Sequence, residues 1–537
     1  MNLIQRGIAL IFCLLPVSVP AQSYNYNDPL LDVQHYRFEL QLTDTSNLIR
    51  GTAFIDIRLN RDAKELTLDL IDMKSDGKGM KVEAVALNGT ETGFQQKADR
   101  IICTTNQLLK SNTTCQLMIR YQGVPADGLI ISTNKYNKRT FFADNWPNRA
   151  RHWLPVNDHP SDKATVEFVV TAPDHYQVIS NGIQTEETNI GNGYTITHYK
   201  ENVAIPTKVM VIGVAGFAVG YAGSSGCVEV SSWVFPEEKE KGFYDYAQAV
   251  DILPFYISNV AKYPFNKLAN VQSKTIFGGM ENAGCIFYHE NSVNGQRKEE
   301  ALISHEIAHQ WFGNSVTEKH WSHLWLSEGF ATYLTNCYLE QKYGTDTLHK
   351  LLKDQRNTVS RYSLKEPGRP VVDSLEQQYM NLLNANSYQK GAWFLHMLRR
   401  KIGDADFWKS LAGYYASFEG KNATTQDFRR SCENASGLNL EAFFNQWLYL
   451  PGQPELEISY QLQKGNEVAV VVKQAQKELF DFPLEIEFIG DGSRIRKTFI
   501  IREREEKIQV RLQFRMSGIQ VDPDTNVLAT WKVKSVK

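Results

Sequence analysis

No two of the seven cysteines in this chain stand in a CxxC pair, which sets aside the usual cysteine-based zinc frameworks. An excess of charge of either sign is also lacking. Fifty-eight lysines and arginines face 60 aspartates and glutamates, a net charge of −2, so there is no electrostatic case for nucleic acid or an anionic membrane surface as partner. The chain has neither an internal repeat nor a low-complexity tract. Beyond the first 21 residues no apolar run approaches the roughly 20 residues of a membrane span.

The chain holds 537 residues, 42% of them apolar, enough for several cores and two to four domains. The first 21 residues differ from the rest. Arg6 supplies a positive start, residues 8–19 form an apolar run containing Pro16, and Val19-Pro20-Ala21 puts small residues at the −3 and −1 positions of a cleavage site. This is a signal-peptide pattern, and it predicts a mature protein that is secreted or periplasmic. Phe12 before Cys13 speaks against a lipoprotein. Cys13 leaves with the signal and six cysteines remain. Cys103 and Cys115 flank residues 106–114 on two strand-like runs, where an oxidising compartment would permit a hairpin disulfide.

Periodicity divides the remainder into three. Residues 35–223 read as β, with Ala53, Ile55, Ile57 and Leu59 alternating; 65–71, 166–171 and 207–219 are further candidate strands. Residues 231–451 read as mainly helical, with candidate helices at 244–261, 299–311, 327–342, 346–362, 384–401, 404–417 and 440–448. From 455 onward the period returns to two, suggesting a small β-sandwich. The expected architecture is multidomain α+β, divided at 24–226, 227–452 and 453–537.

The chemistry lies in the middle region. His305 and His309 are four apart in a predicted helix, so both imidazoles lie on one face and can share an ion. Glu306 lies about 100° round from His305, able to approach a water on that ion without ligating it. This is the HExxH arrangement. Glu328, after an eighteen-residue gap from His309, begins a second amphipathic helix and can complete a His2Glu set with a fourth position left for water, the pattern of a catalytic zinc. Such a site acidifies water and polarises a carbonyl; Glu306 would take the water proton and deliver it to a leaving amine.

Three further segments accompany that motif: Gly278-Gly279-Met280-Glu281-Asn282, Ser387-Tyr388-Gln389-Lys390-Gly391-Ala392, and Phe443–Leu448 followed by Pro451-Gly452. Trp153-Leu154-Pro155 and Asp158-His159-Pro160 add to them. Together they resemble the gluzincin aminopeptidases of the aminopeptidase N and leukotriene hydrolase type. The resemblance implies an N-terminal β domain, a thermolysin-like, mainly α-helical catalytic domain and a C-terminal β-sandwich, without the long helical domain that larger relatives carry, and hence an open cleft. It implies one zinc ion on His305, His309 and Glu328, with Glu306 as base, and peptides with a free N-terminus as substrates. Glu281 would pair with the substrate ammonium, with Gly278, Gly279, Met280 and Asn282 beside it, and Tyr388 would donate to the oxyanion. Two departures stand out. Many relatives have a glutamine near Trp146, which this chain lacks, leaving Asn145 as its possible replacement; Ser327 and His323 stand where relatives often have Asn and Asp. An epoxide hydrolase at the same zinc, an endopeptidase and a catalytically dead peptide-binding protein are the rival readings.

Overall fold

The computed structural model describes residues 30–490 and 492–536; the signal-like segment lies outside them. Residues 31–215 build β-sheets. An eight-stranded sheet has Leu31–Gln41 at its centre, antiparallel to Ile49–Leu59 and parallel to Lys163–Pro173. The alternation in Ile49–Leu59 works as expected: Ala53, Ile55, Ile57 and Leu59 are all fully buried, the mark of a strand with one face on a core.

The hairpin disulfide is not formed. Cys103 lies on Arg100–Leu109, which pairs with Ala63–Asp69, whereas Cys115 lies on Thr114–Val124, which pairs with Ile49–Leu59 in the large sheet. The two strands join different sheets, and both cysteines are buried free thiols. Burial raises them to about 12 and about 11 respectively, so they behave as small apolar residues.

The expected strand at 207–219 is broken. Residues 207–209 form a turn, followed by Ile212–Ala215 and Ala218–Ser225. Two buried amides capture this backbone: Asn145 donates to the carbonyls of Thr207 and Met210, and Asn181 donates to Val209 O and accepts from Val211 N–H. Polar groups that side chains have satisfied no longer call for a ladder.

Ala218–Ser225 pairs with Val228–Val234 in a five-stranded sheet that continues through Lys267–Ser273 and Cys285–His289 to an edge at Gly279–Met280. The boundary expected after residue 226 falls in the turn between its first two strands. The sheet leaves little trace in the sequence, because its strands Lys267–Ser273 and Cys285–His289 are short and almost wholly buried, with no alternation. The helices follow: α1 Lys239–Tyr246, α2 Gln248–Asn259, α3 Glu300–His309, α4 Trp325–Tyr343, α5 Thr345–Lys365, α6 Gly391–Ile402, α7 Asp404–Phe418, α8 Thr425–Ser436 and α9 Glu441–Phe444. The predicted helices at 384–401 and 440–448 both contain a π-helical turn, Asn386–Lys390 and Asn445–Tyr449. Helix α8 was unforeseen, although Asp427 accepts the Thr424 N–H in a capping arrangement and Gly437 closes the helix in a left-handed conformation. Beyond Pro454 the chain forms two sheets of four and three strands. Among the described residues no helix is long and apolar enough to cross a membrane.

Candidate active site

Helix α3 is fixed along its length by buried hydrogen bonds. Tyr256 on α2 donates to Ser304 O at 2.9 Å. The Trp311 indole N–H is shared by the carbonyls of Ala261 and Lys262. Past the helix end, Lys163 Nζ donates to Asn314 O and Ser315 O, and the fully buried Lys208–Glu318 pair closes at 2.6 Å. The N-terminal sheets thus clamp the turn that follows the histidines.

Helix α4 opens with Glu328 in its first turn. Its start is tied to α8: the Trp325 indole N–H donates to Thr425 Oγ1, and His323 Nδ1 bonds the same hydroxyl at 2.9 Å. At Gly329, α4 meets Gly391 of α6 so closely that a Cβ on Gly391 would stand 3.0 Å from the Gly329 Cα. This close approach brings the π-helical turn carrying Tyr388 over the site. The Tyr388 ring lies nearly parallel to His305, with centroids 6.0 Å apart. Lys390, in the same turn, is 1% exposed and donates to Gly452 O at 2.6 Å. That contact joins two segments of the resemblance that sequence alone left separate. Burial lowers the Lys390 ammonium to about 7.

The metal-ligand candidates converge. His305 Nε2 and His309 Nε2 lie 3.0 Å apart, with Glu328 Oε2 3.4 and 3.3 Å from them. Among the described residues this is the one group of three or more potential donors, with its ligand atoms all within 4.8 Å of one another. His309 Nδ1 faces Phe312 O at 3.1 Å and Ser327 Oγ at 3.0 Å. A carbonyl only accepts, so the Nδ1 proton points there and the Nε2 lone pair points at the cluster. Gly313, at φ +124°, makes room for this arrangement, since a Cβ there would strike Ser327 Oγ. Glu328 Oε2 is buried without a hydrogen-bond partner. Two imidazole lone pairs and a carboxylate aimed at one point suit a divalent cation, and this N/O set suits zinc.

The electrostatics agree. Burial works against charge on His309, but Glu328 overrides it, with Glu281 and Glu306 adding to the field, and the imidazole is pushed up to about 10. Burial lowers His305. Burial also opposes ionisation of Glu328, yet His309 and His305 hold its carboxyl well below the usual range. Glu306, next to this cluster, is raised well above the carboxylate range by burial, with Glu281 and Glu328 adding and His309 counteracting. Burial raises Tyr388 well above a free phenol, and the Glu328 and Glu281 charges reinforce it.

One cavity of about 470 Å³ unites these groups with Gly278, Gly279, Met280, Glu281 and Trp146. Gly279 sits so close to Glu306 that a Cβ there would overlap its carboxylate. Glu281 Oε1 is buried and unpartnered. Its backbone carbonyl accepts from Gln310 Nε2 at 3.0 Å and Asn314 Nδ2 at 2.5 Å. Gln310 also accepts from Gly284 N–H. Gln310 and Asn314 went unremarked in the sequence; the available signal was two amide side chains in the buried turn just beyond HExxH.

Two expectations change. Asn282 is fully buried and does not line the cavity; its backbone shapes the turn, donating to Met280 O and accepting from Cys285 N–H. Asn145 does not replace the missing glutamine. It is fully buried, both its amide atoms are engaged, and its Oδ1 accepts from the Trp153 indole. Trp146 does line the cavity, edge-on to Phe277 and Trp321.

Comparison with known proteins agrees with this geometry. Residues 32–209 match the Peptidase M1 N-terminal domain and residues 244–447 the Peptidase family M1 domain. A probable aminopeptidase 2 of Sulfurisphaera tokodaii is 25% identical over 519 residues, covering 92% of this chain and 63% of that protein. A leucyl aminopeptidase of Saccharolobus solfataricus is 24% identical over 527 residues, covering 90% and 62%. The chain therefore spans less than two thirds of the length of these curated relatives. The same fold occurs in an M1 zinc metallopeptidase of Deinococcus radiodurans (TM-score 0.68, 24% identity, 79% of this chain and 95% of that one). It recurs in an aminopeptidase A of Legionella pneumophila (TM-score 0.82, 18% identity, 95% and 60%). Both domain matches run in the order the fold requires, and the buried His2Glu cluster sits inside the second: the chain belongs to the M1 family of peptidases.

Proposed function

We propose that the protein is a zinc aminopeptidase that hydrolyses the N-terminal peptide bond of peptides with a free amine. The observation that carries this reading is the buried, unpartnered carboxylate oxygen of Glu281 in the same cavity as the His305–His309–Glu328 cluster. A carboxylate in such a place calls for a cation, and a peptide's α-ammonium supplies one through a charge-assisted hydrogen bond. A blocked N-terminus would leave Glu281 unpaired, at a cost of about 3–5 kcal/mol.

His305, His309 and Glu328 would hold one zinc ion, which would supply Lewis-acid chemistry to the water and the scissile carbonyl. The edge strand Gly279–Met280 offers its unpaired side to an added substrate strand, and Gly279 lets that backbone come close. Glu306, whose raised affinity for protons suits a base that later acts as an acid, takes the proton of the attacking water and returns it to the leaving amine. The Tyr388 hydroxyl donates to the oxygen on which negative charge develops. The middle domain opens with the five-stranded sheet at Ala218 and ends near residue 452, and, with a sheet edge beside two helices that carry the ligands, it has a thermolysin-like plan. The N-terminal signal pattern supports export from the cytoplasm, which N-terminal sequencing of the mature protein would check.

A panel of fluorogenic amino-acid substrates, measured with and without chelator, tests the activity. Turnover should require zinc and vanish on N-acetylation. Equal cleavage of acetylated and free peptides would instead indicate an endopeptidase, and turnover of an epoxide in place of an anilide would indicate the leukotriene-hydrolase chemistry.

A further inference from the structure

The cavity does not stop at the metal-ligand cluster. It continues along α4, where Glu328, Thr332, Asn336 and Leu339 recur at helical spacing on one face, and reaches α5 at Leu351 and Gln355. At its far end two amides face each other. Asn336 Nδ2 donates to Gln355 Oε1, and Gln355 Nε2 donates to Asn336 Oδ1, both at 3.1 Å. Each amide keeps one N–H and one lone pair free for a ligand. Asn336 is 2% exposed, so it is a built feature of the wall. All the acidic and basic side chains lining the cavity stand at the cluster end: Glu281, His305, Glu306, His309 and Glu328.

The direction of a bound peptide follows from the two ends of α3. Glu281 is tied to the C-terminal side of that helix through Gln310 and Asn314, whereas Leu302 lies in its first turn, against Gly278. His305 lies between them. A peptide with its ammonium at Glu281 and its first carbonyl at the cluster therefore sends its second residue toward Leu302 and the α4–α5 end. Eight residues of helix separate Glu328 from Asn336, a rise of about 12 Å, so a short side chain falls short of the amides.

We propose that Asn336 and Gln355 form the floor of a pocket for the residue behind the scissile bond, selecting a long, uncharged side chain with a hydrogen-bonding end, glutamine above all. The proposal rests on the aminopeptidase reading. A glutamine carboxamide can meet the free N–H and the free lone pair of the pair together; methionine matches it in length without those bonds. Glutamate and lysine would bring a charge to a floor with no counter-charge, which the protein interior penalises.

The test uses tripeptides with common first and third residues and Gln, Met, Ala, Glu or Lys in second place. The zinc-loaded enzyme is assayed for kcat/KM, and the Glu306→Gln variant is titrated calorimetrically for Kd. Gln should exceed Met by about fivefold, the gain of one to two hydrogen bonds, and Glu and Lys by about tenfold or more. In Asn336→Leu/Gln355→Leu, and in the milder Gln355→Met, the Gln:Met ratio should fall to one or below. A ratio measured within one preparation is independent of the fraction folded. Equal values for Gln, Met and Glu, or a Gln:Met ratio unmoved in both variants, overturn the proposal. Peptides that bind with this selectivity but are never cleaved support the pocket and sink the aminopeptidase reading; peptides that neither bind nor turn over sink both.

Discussion

The cavity has two kinds of wall. One is helical: α3 and α4 carry His305, Glu306, His309 and Glu328, whose spacing the helix itself dictates. The other is made of an edge strand, Gly279–Met280, and a π-helical turn holding Tyr388. Neither has a complete ladder of its own, and each is held by side chains from elsewhere: Gln310 and Asn314 on Glu281 O, and Lys390 on Gly452 O. Groups that must share one ion sit on self-satisfied elements, whereas groups that meet variable substrates sit on backbone with unsatisfied edges.

That contrast predicts two classes of variant. Changes to the metal ligands on the helical wall should remove metal and activity together, while changes to the base beside them and to the other wall should lower the rate and leave the metal. The largest effect is expected for Glu328→Ala, which should lose zinc by elemental analysis and activity to background; retained zinc would break the comparison. Glu306→Gln should keep the metal and lose about 10²–10⁴ in kcat. Tyr388→Phe, on the irregular wall, should lose about 10²–10³ in kcat with zinc content unchanged. Ser327→Ala, which removes the hydroxyl beside His309 Nδ1, should weaken zinc affinity about 10–100-fold, measured by competition with a chromogenic chelator.

The smallest effect concerns the support of the Tyr388 turn. Burial lowers Lys390 from 10.5 to about 7. Between those values the unfolded chain binds more protons than the folded one, so this group makes stability rise with pH across that window. Lys390→Met has no such term. The Tm of wild type relative to that variant should therefore increase from pH 7 to 10; a pH-independent difference would show that the ammonium keeps its proton in the fold.

The helical wall is almost fully legible in the sequence, because its information is local: two histidines four apart, and a glutamate in the first turn of the next helix, although that helix proves buried nearly all round rather than amphipathic. The irregular wall is legible only through family resemblance. Nothing in Gly278–Asn282 by itself distinguishes an unpaired buried Glu281 from a surface turn, or shows that Asn282 is buried away from the cavity lining. Asn145 was misjudged for the same reason, since only the tertiary fold reveals that Thr207, Met210 and Trp153 already use its amide. Alternation alone reads 35–223 as β, and β-sheets do build residues 31–215. The five-stranded sheet and the separation of Cys103 from Cys115 escape it, because partner choice between distant strands leaves no periodic trace.

The Lys390–Gly452 hydrogen bond bears on modularity. The turn that aims Tyr388 is anchored to a carbonyl 62 residues further along, at the threshold of the C-terminal sheets. Cutting the chain just after α9 would strip a buried ammonium of its acceptor, two residues from the phenol it helps to aim. An excised middle region would therefore have to keep its tail through Gly452, past α9, because that tail is part of the mould in which its active surface is cast.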